Sequence, residues 1–234
     1  MTVPRLLVAE RLEAGEALSI VGDRAHYLRN VLRLRDGADL QLFNAAAGEF
    51  RATITSLGRH EVRITIGERT RAPTAEPGPR LVFAPIRRNR LDWLIEKAVE
   101  LGAARLVPVL TQRTVVRPEG TARLEAIAIE AAEQCERLSV PPIDPPRPLA
   151  EWLASRSSAI PLLFADERGA GMPLGQALHA GVDADLLVGP EGGFAPEERA
   201  RLLKTPGVVP VSLGPRILRA ETAALYMLAA WQLA

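Results

Sequence analysis

The chain has 234 residues, 47% of them apolar and 24% charged, with a net charge of +1. These values suit one large or two modest globular domains and exclude a whole-protein field that draws it to nucleic acid, so such affinity must be local. The lone Cys135 excludes an internal disulfide and fits a reducing compartment, and His26, His60 and His179 lie too far apart for a metal-ligand motif.

Along the chain, Arg5, Glu10, Arg11 and Glu13 break any apolar run in residues 1–16, so this stretch does not read as a signal peptide. Residues 24–35 read as a helix with His26, Arg29, Asn30 and Arg33 on one face and Leu28, Val31 and Leu32 on the other. No acid interrupts it between Asp23 and Asp36, which makes it the best candidate for contact with a nucleic acid. Arg5, Arg87, Arg88 and Arg90 are further candidates for phosphate contacts. Residues 39–43, 50–55 and 61–66 alternate apolar with polar, as half-buried strands do, with Gly48 and Gly58 marking turns. Short strands so closely spaced predict a small β-barrel. A seam follows, where Pro73, Pro77, Gly78 and Pro79 rule out a helix or a central strand. The predicted organisation is therefore a domain over 1–72, a linker over 73–79 and a second domain over 80–234.

Beyond the seam the rhythm becomes strand then helix. A strand at 81–84 precedes a helix over 91–101, where Leu91, Leu94, Ile95, Ala98 and Leu101 recur at helical spacing and Gly102 supplies a stop. A strand at 106–110 precedes a long helix over 121–138, and the proline-rich 140–148 reads as a stiff connector. A strand at 160–165 precedes a short helix at 174–180, and strands at 185–188 and 208–213 follow. The last helix, 220–233, is apolar on nearly every face, which predicts burial on several sides but is too short to span a bilayer. Such alternation predicts an α/β fold with a parallel sheet and helices on both faces, and ligands of such sheets bind at the carboxyl ends of strands.

Two of these strands leave through glycine and proline. One exit is Leu186-Leu187-Val188-Gly189-Pro190-Glu191-Gly192-Gly193-Phe194; the other is Ser212-Leu213-Gly214-Pro215-Arg216-Ile217-Leu218-Arg219-Ala220-Glu221-Thr222. The first lacks the Gly-Lys-Ser/Thr of a phosphate loop and the Gly-x-Gly-x-x-Gly of a dinucleotide fold. What remains is backbone that a ligand can approach closely, and two such exits predict one pocket walled by main chain. Glu221, in a first helical turn, also suits the positive end of the helix dipole.

These two motifs together resemble the knotted RNA methyltransferases of the SPOUT class and, within it, the ribosomal RNA small subunit methyltransferase E family. The resemblance extends to Val31-Leu32-Arg33, Leu40-Gln41-Leu42-Phe43, Glu96-Lys97-Ala98-Val99-Glu100-Leu101-Gly102 and Glu133-Gln134-Cys135. It implies a trefoil-knotted SPOUT-type sheet preceded by a PUA-like or OB-like RNA-binding barrel. It also implies a cytoplasmic homodimer that uses S-adenosylmethionine and no metal to methylate N3 of a uridine in 16S rRNA of the small ribosomal subunit. The implied cofactor-binding residues are Leu187, Gly189, Pro190, Glu191, Gly192, Gly193, Leu213, Gly214, Ile217 and Leu218. Arg219 is the implied catalytic group, beside Glu221 as a candidate proton acceptor; Arg5, His26, Arg29, Arg33 and Arg88 are the RNA-contact candidates. Two other readings stand beside this one: a non-catalytic ribosome-assembly factor, and a knotted methyltransferase acting on tRNA.

Overall fold

In the computed structural model, which describes residues 3–116, 120–168, 171–178 and 183–234, the chain divides into two units. The first comprises Met1–Ala75 with Ala132–Ser139, and the second Glu76–Ala131 with Val140–Ala234.

In the first unit, alternation of apolar and polar residues produces β1 (Arg5–Leu7), β2 (Ala17–Val21), β3 (Asp39–Asn44), β4 (Gly48–Leu57) and β5 (Glu61–Arg71). They form one sheet in the order β1-β3-β4-β5-β2. Three register shifts between β4 and β5 bend the sheet, as bulges do. Its concave face buries Leu40, Leu42, Ile54, Val62 and Ile64 completely or nearly so.

The segment predicted as a helix over 24–35 is shorter and differently wound. Helix α1 (Asp23–His26) runs into a π-helical turn (Tyr27–Val31), where the Leu32 N–H donates to the Tyr27 carbonyl at 3.0 Å. Arg33 then takes φ 53°, in the left-handed region that ends a helix. The wider turn rotates the faces. Leu28 stays buried, but Val31, expected inside, is 59% exposed, and Arg33 lies beyond the helical face that carries His26 and Arg29.

Arg5 also departs from expectation. Its Nε donates to Glu49 Oε2 at 2.6 Å, Nη1 to the carbonyls of Ala132 and Glu133 at 2.9 and 3.0 Å, and Nη2 to that of Arg137 at 3.0 Å. The guanidinium also stacks over the Phe43 ring, 4.1 Å from its centroid. With 7% of its side chain exposed, Arg5 holds the unit together and is withdrawn from RNA contact.

The second unit follows the strand-helix rhythm. Its elements are β6 (Arg80–Phe83), α2 (Arg88–Glu100), β7 (Arg105–Leu110), α3 (Ala122–Gln134, whose last residues group with the first unit), β8 (Arg147–Pro148), α4 (Leu149–Ser155) and β9 (Leu162–Ala165). Then come β10 (Met172–Pro173), α5 (Leu174–Ala177), β11 (Asp185–Val188), α6 (Pro196–Lys204), β12 (Val208–Ser212) and α7 (Ala220–Gln232). The seven strands are parallel, in the order β10-β12-β9-β11-β6-β7-β8. Val82, Val107, Phe164, Leu187 and Trp152 fill a core against this sheet. Helix α3, predicted to 138, stops at Gln134, and Glu136 adopts φ 62°, which a continuing α-helix does not contain. Of the helix predicted at 174–180, residues 179 and 180 lie outside the described residues. Among the described residues, no helix is long and apolar enough to cross a membrane.

Removing Arg5 leaves the carboxylate of Glu49, 8% exposed, without its closest cation. The Arg5→Met variant is expected to lose about 3 kcal/mol of stability in urea denaturation; a loss below about 0.5 kcal/mol would contradict this role for Arg5.

Candidate active site

The register of the parallel sheet sets the position of the site. Phe164 of β9 lies level with Leu187 of β11 on one side and Pro210 of β12 on the other. Two residues further along each strand come Asp166, Gly189 and Ser212, so three chains leave the sheet side by side. A cavity of about 340 Å³ opens at this carboxyl edge, within the range of small-molecule sites.

Each exit supplies one wall. From β11 come Val188, Gly189, Pro190, Glu191 and Phe194; from β12 come Ser212, Leu213, Gly214, Arg216, Ile217, Leu218 and Arg219, then Ala220 and Ala223 of α7. Ala165, Asp166 and Glu167 at the end of β9 form the third wall, and Arg90 of α2 reaches the rim. The two glycine-bearing motifs thus meet in one cavity.

Local chemistry explains the shape of the first exit. A Cβ at position 189 would meet the Phe194 ring at 2.7 Å, so glycine is the residue that lets this buried ring close under the loop. Phe194 meets Phe164 edge to face, with centroids 5.3 Å apart and planes at 82°. Gly193 adopts φ 67° and donates to the Pro190 carbonyl at 2.8 Å, and a side chain there would strike the Glu167 carboxylate. α6 begins next, its Glu198 accepting from the Ala195 N–H at 3.1 Å and the Gln112 N–H at 2.8 Å.

The second exit is open. Among the described residues, the backbone N–H groups of Ile217 and Leu218 have no hydrogen-bond partner. Ile217 is 91% exposed, an apolar side chain that a flat ligand on this wall would cover. Gly214, at φ 106°, has open space where a Cβ would stand. Main-chain donors beside apolar surface suit an uncharged heterocycle better than a phosphate.

Charge is divided across the cavity. Arg90, Arg216 and Arg219 are its cations; Asp166, Glu167 and Glu191 are its acids. Asp166 is neutralised within the protein, because Arg199 grips it with two hydrogen bonds of 2.9 and 2.6 Å. That pairing holds the Asp166 carboxyl below the usual carboxylate range and raises Arg199 above its own.

The residues expected to act from sequence fall into groups. Gly189, Pro190, Glu191, Leu213, Gly214, Ile217, Leu218 and Arg219 all line the cavity. Leu187 does not; it is fully buried one residue behind Val188 and packs the core. Gly192 and Gly193 stand behind the first wall, Gly192 accepting from Arg113 Nη1 at 2.6 Å. Glu221 is absent from the lining. Its side chain is 8% exposed, and Oε1 lies 3.6 Å from Arg90 Nε, which removes it from the open position a proton acceptor needs. His26, Arg29, Arg33 and Arg88 are all exposed. Phe194 and Ser212, which bound the two motifs, line the cavity as well; Asp166 and Glu167 were not singled out from sequence, although Ala165-Asp166-Glu167 ends a strand just as the glycine loops do. Cys135 is half-buried just after α3, and among the described residues no cluster of histidine, cysteine or acids is arranged for a metal.

Comparison with known proteins agrees with this architecture. A model described as RNA methyltransferase domain matches residues 76–232, and one described as RNA methyltransferase PUA domain matches residues 20–67. The cavity therefore lies in an RNA methyltransferase domain. Ribosomal RNA small subunit methyltransferase E from Rickettsia conorii is 31% identical over 98% of this chain and 95% of its own length. Its counterpart from Bacillus subtilis is 29% identical over 96% and 93%. The crystal structure of the Neisseria gonorrhoeae counterpart bound to S-adenosyl methionine superposes with a TM-score of 0.89 at 31% identity, covering 99% of this chain and 97% of the other. The chain belongs to the ribosomal RNA small subunit methyltransferase E family.

The Asp166–Arg199 pair yields a pH signature. A carboxyl lowered on folding contributes stability that is complete above its unfolded value of about 4 and is lost as pH falls through the folded value. The Asp166→Asn variant should be less stable than the parent by about 2 kcal/mol at pH 7. The gap should close as thermal melts are taken from pH 4 downward; a gap constant over that range would contradict the assignment.

Proposed function

We propose that this chain transfers the methyl group of S-adenosylmethionine to N3 of a uridine in the 16S rRNA of the small ribosomal subunit. The observation that carries this reading is the meeting of both glycine-bearing exits in one cavity walled by main chain. Gly189, Pro190 and Glu191 on one side and Leu213, Gly214, Ile217 and Leu218 on the other would hold the donor. The unpartnered amides and bare apolar surface of the second exit fit a nucleoside. Leu187, Gly192 and Gly193 act from behind by shaping the first loop.

S-adenosylmethionine, when bound, supplies a methyl group on a positively charged sulfur, already electrophilic without a metal. The cavity's task is to keep N3 in line behind that methyl and exclude competing geometries. N3 lies on the Watson–Crick edge, so the uridine must be unpaired or splayed from its helix. As N3 loses its proton the ring becomes an imide anion, and its carbonyl oxygens gain negative charge. Arg219, exposed on the cavity wall at the start of α7, is placed to donate to those oxygens. His26, Arg29, Arg33 and Arg88 contact phosphates and position the RNA.

In this reading residues 1–72 bind RNA, 73–79 link, and 80–234 bind the donor and perform the transfer. The parallel sheet has the trefoil-knotted path of the SPOUT class, with α7 in the threaded segment. Two copies pair through α7, a helix rich in alanine and leucine on which Tyr226 is 51% exposed, with Leu233, just past its end, 90% exposed. The reaction takes place in the cytoplasm.

Labelled donor, unmethylated small subunits and mass spectrometry of the digested RNA provide the test. The expected product is 3-methyluridine, with kcat reduced about 100-fold in Arg219→Ala and donor affinity unchanged. Donor binding without transfer would favour the assembly factor, and methylated tRNA would favour the other knotted enzyme.

A further inference from the structure

Arg90, a candidate phosphate contact from sequence, forms an ion pair with the buried Glu221 at the rim of the cavity. Arg90 is the third residue of α2 and Glu221 the second of α7, and these helices pack on one another. Glu221 Oε1 faces Arg90 Nε at 3.6 Å. Among the described residues, its other oxygen, Oε2, is buried without a hydrogen-bond partner. A carboxylate so placed is costly unless a cation stays beside it, so the pair restrains the arginine as much as the acid. The contact uses the Nε edge of Arg90. Its Nη groups donate to no described residue, and 37% of the side chain is exposed on the cavity rim.

The geometry points to Arg90 as a second guanidinium that binds the target nucleotide, and to Glu221 as the positioning residue that aims it. This rests on the methyltransferase reading of the cavity. Charge complementarity selects the nucleotide over the donor. S-adenosylmethionine carries a sulfonium and an ammonium against one carboxylate, whereas RNA and the imide of the reacting base are anions. Arg87 and Arg88, exposed at the same end of α2, continue the basic surface outward. The planar fork of Arg90 matches a carbonyl or phosphate oxygen, provided its orientation is fixed. Glu221 supplies that fixation from below. It touches neither donor nor base.

A double-mutant cycle tests this with Arg90→Met, Glu221→Gln and the pair combined, each measured for methyl transfer to small subunits, donor affinity by calorimetry and RNA affinity by fluorescence anisotropy. Arg90→Met should lower kcat/KM about 100-fold and Glu221→Gln about 10-fold, both without changing donor affinity. The double variant should be no worse than Arg90→Met alone, because Glu221 acts through Arg90. Losses that multiply would overturn the assignment, since Glu221 would then act independently, for instance as the proton acceptor. A weakened donor affinity in Arg90→Met would place Arg90 on the donor's carboxylate and also overturn it. Unfolding of Glu221→Gln is controlled by Arg90→Lys, which keeps the buried charge paired yet loses the planar fork; wild-type activity in that variant would sink the proposal. If the parent protein transfers no methyl group, the reading of the cavity fails separately. The same cycle in RNA affinity then still decides the pair: non-additive losses support it and additive ones refute it.

Discussion

Parallel pairing of β11 and β12 along the two sides of β9 is the constraint on which the site depends. Because Leu187, Phe164 and Pro210 lie level, all three strands end on one edge, and nothing in the loops needs to travel far to meet. Pro210 costs this arrangement little. It has no N–H to give a ladder, and among the described residues the pairing of β10 with β12 covers Val211 and Ser212 rather than Pro210. The loops then differ in character. The first is braced by Phe194, Gly193 and the hydrogen-bonded start of α6, while the second leaves amides and an isoleucine uncovered. A rigid wall facing an unsatisfied one is an arrangement completed by a ligand.

Electrostatics sort the roles within the cavity. Asp166 is held by Arg199 and keeps the β9 exit anchored to α6, while Glu221 is held near Arg90 beneath the rim. Arg90, Arg216 and Arg219 are the cations on the cavity lining. Thus Glu221, the acid considered as a proton acceptor from sequence, is paired with an arginine, as is Asp166. In the first unit Arg5 repeats the pattern, tying β1 to Glu49 and to the carbonyls of residues 132, 133 and 137.

Much of this was legible in the sequence where burial is written locally. The alternation in 39–43 and 61–66 and the spacing of Leu91, Leu94, Ile95 and Ala98 led directly to β3, β5 and α2. The convergence of the two exits followed from the rule that open parallel sheets place ligands at carboxyl ends. Other features depend on distant partners. Arg5 looks like any basic residue until chain about 130 positions away surrounds it. The π-helical turn at Tyr27–Val31 adds a residue per turn that a period of 3.6 does not anticipate, so Val31 and Arg33 fell on the wrong faces. Helix α4 and the two-residue β8 hid beside a proline-rich connector, and β8 gains its strand character only by pairing with β7. Asp166 and Glu167 were within reach, because the same strand-exit argument that marked Gly189 applies to them.

The most direct measurement is an amide NMR titration of the intact protein with S-adenosylmethionine. Shifts concentrated simultaneously on Gly189, Glu191, Leu213, Gly214, Ile217 and Leu218 are predicted, with saturation at one equivalent per chain. Perturbation of only one of the two exits, or of residues remote from the carboxyl edge of β9, β11 and β12, would contradict a shared donor cavity.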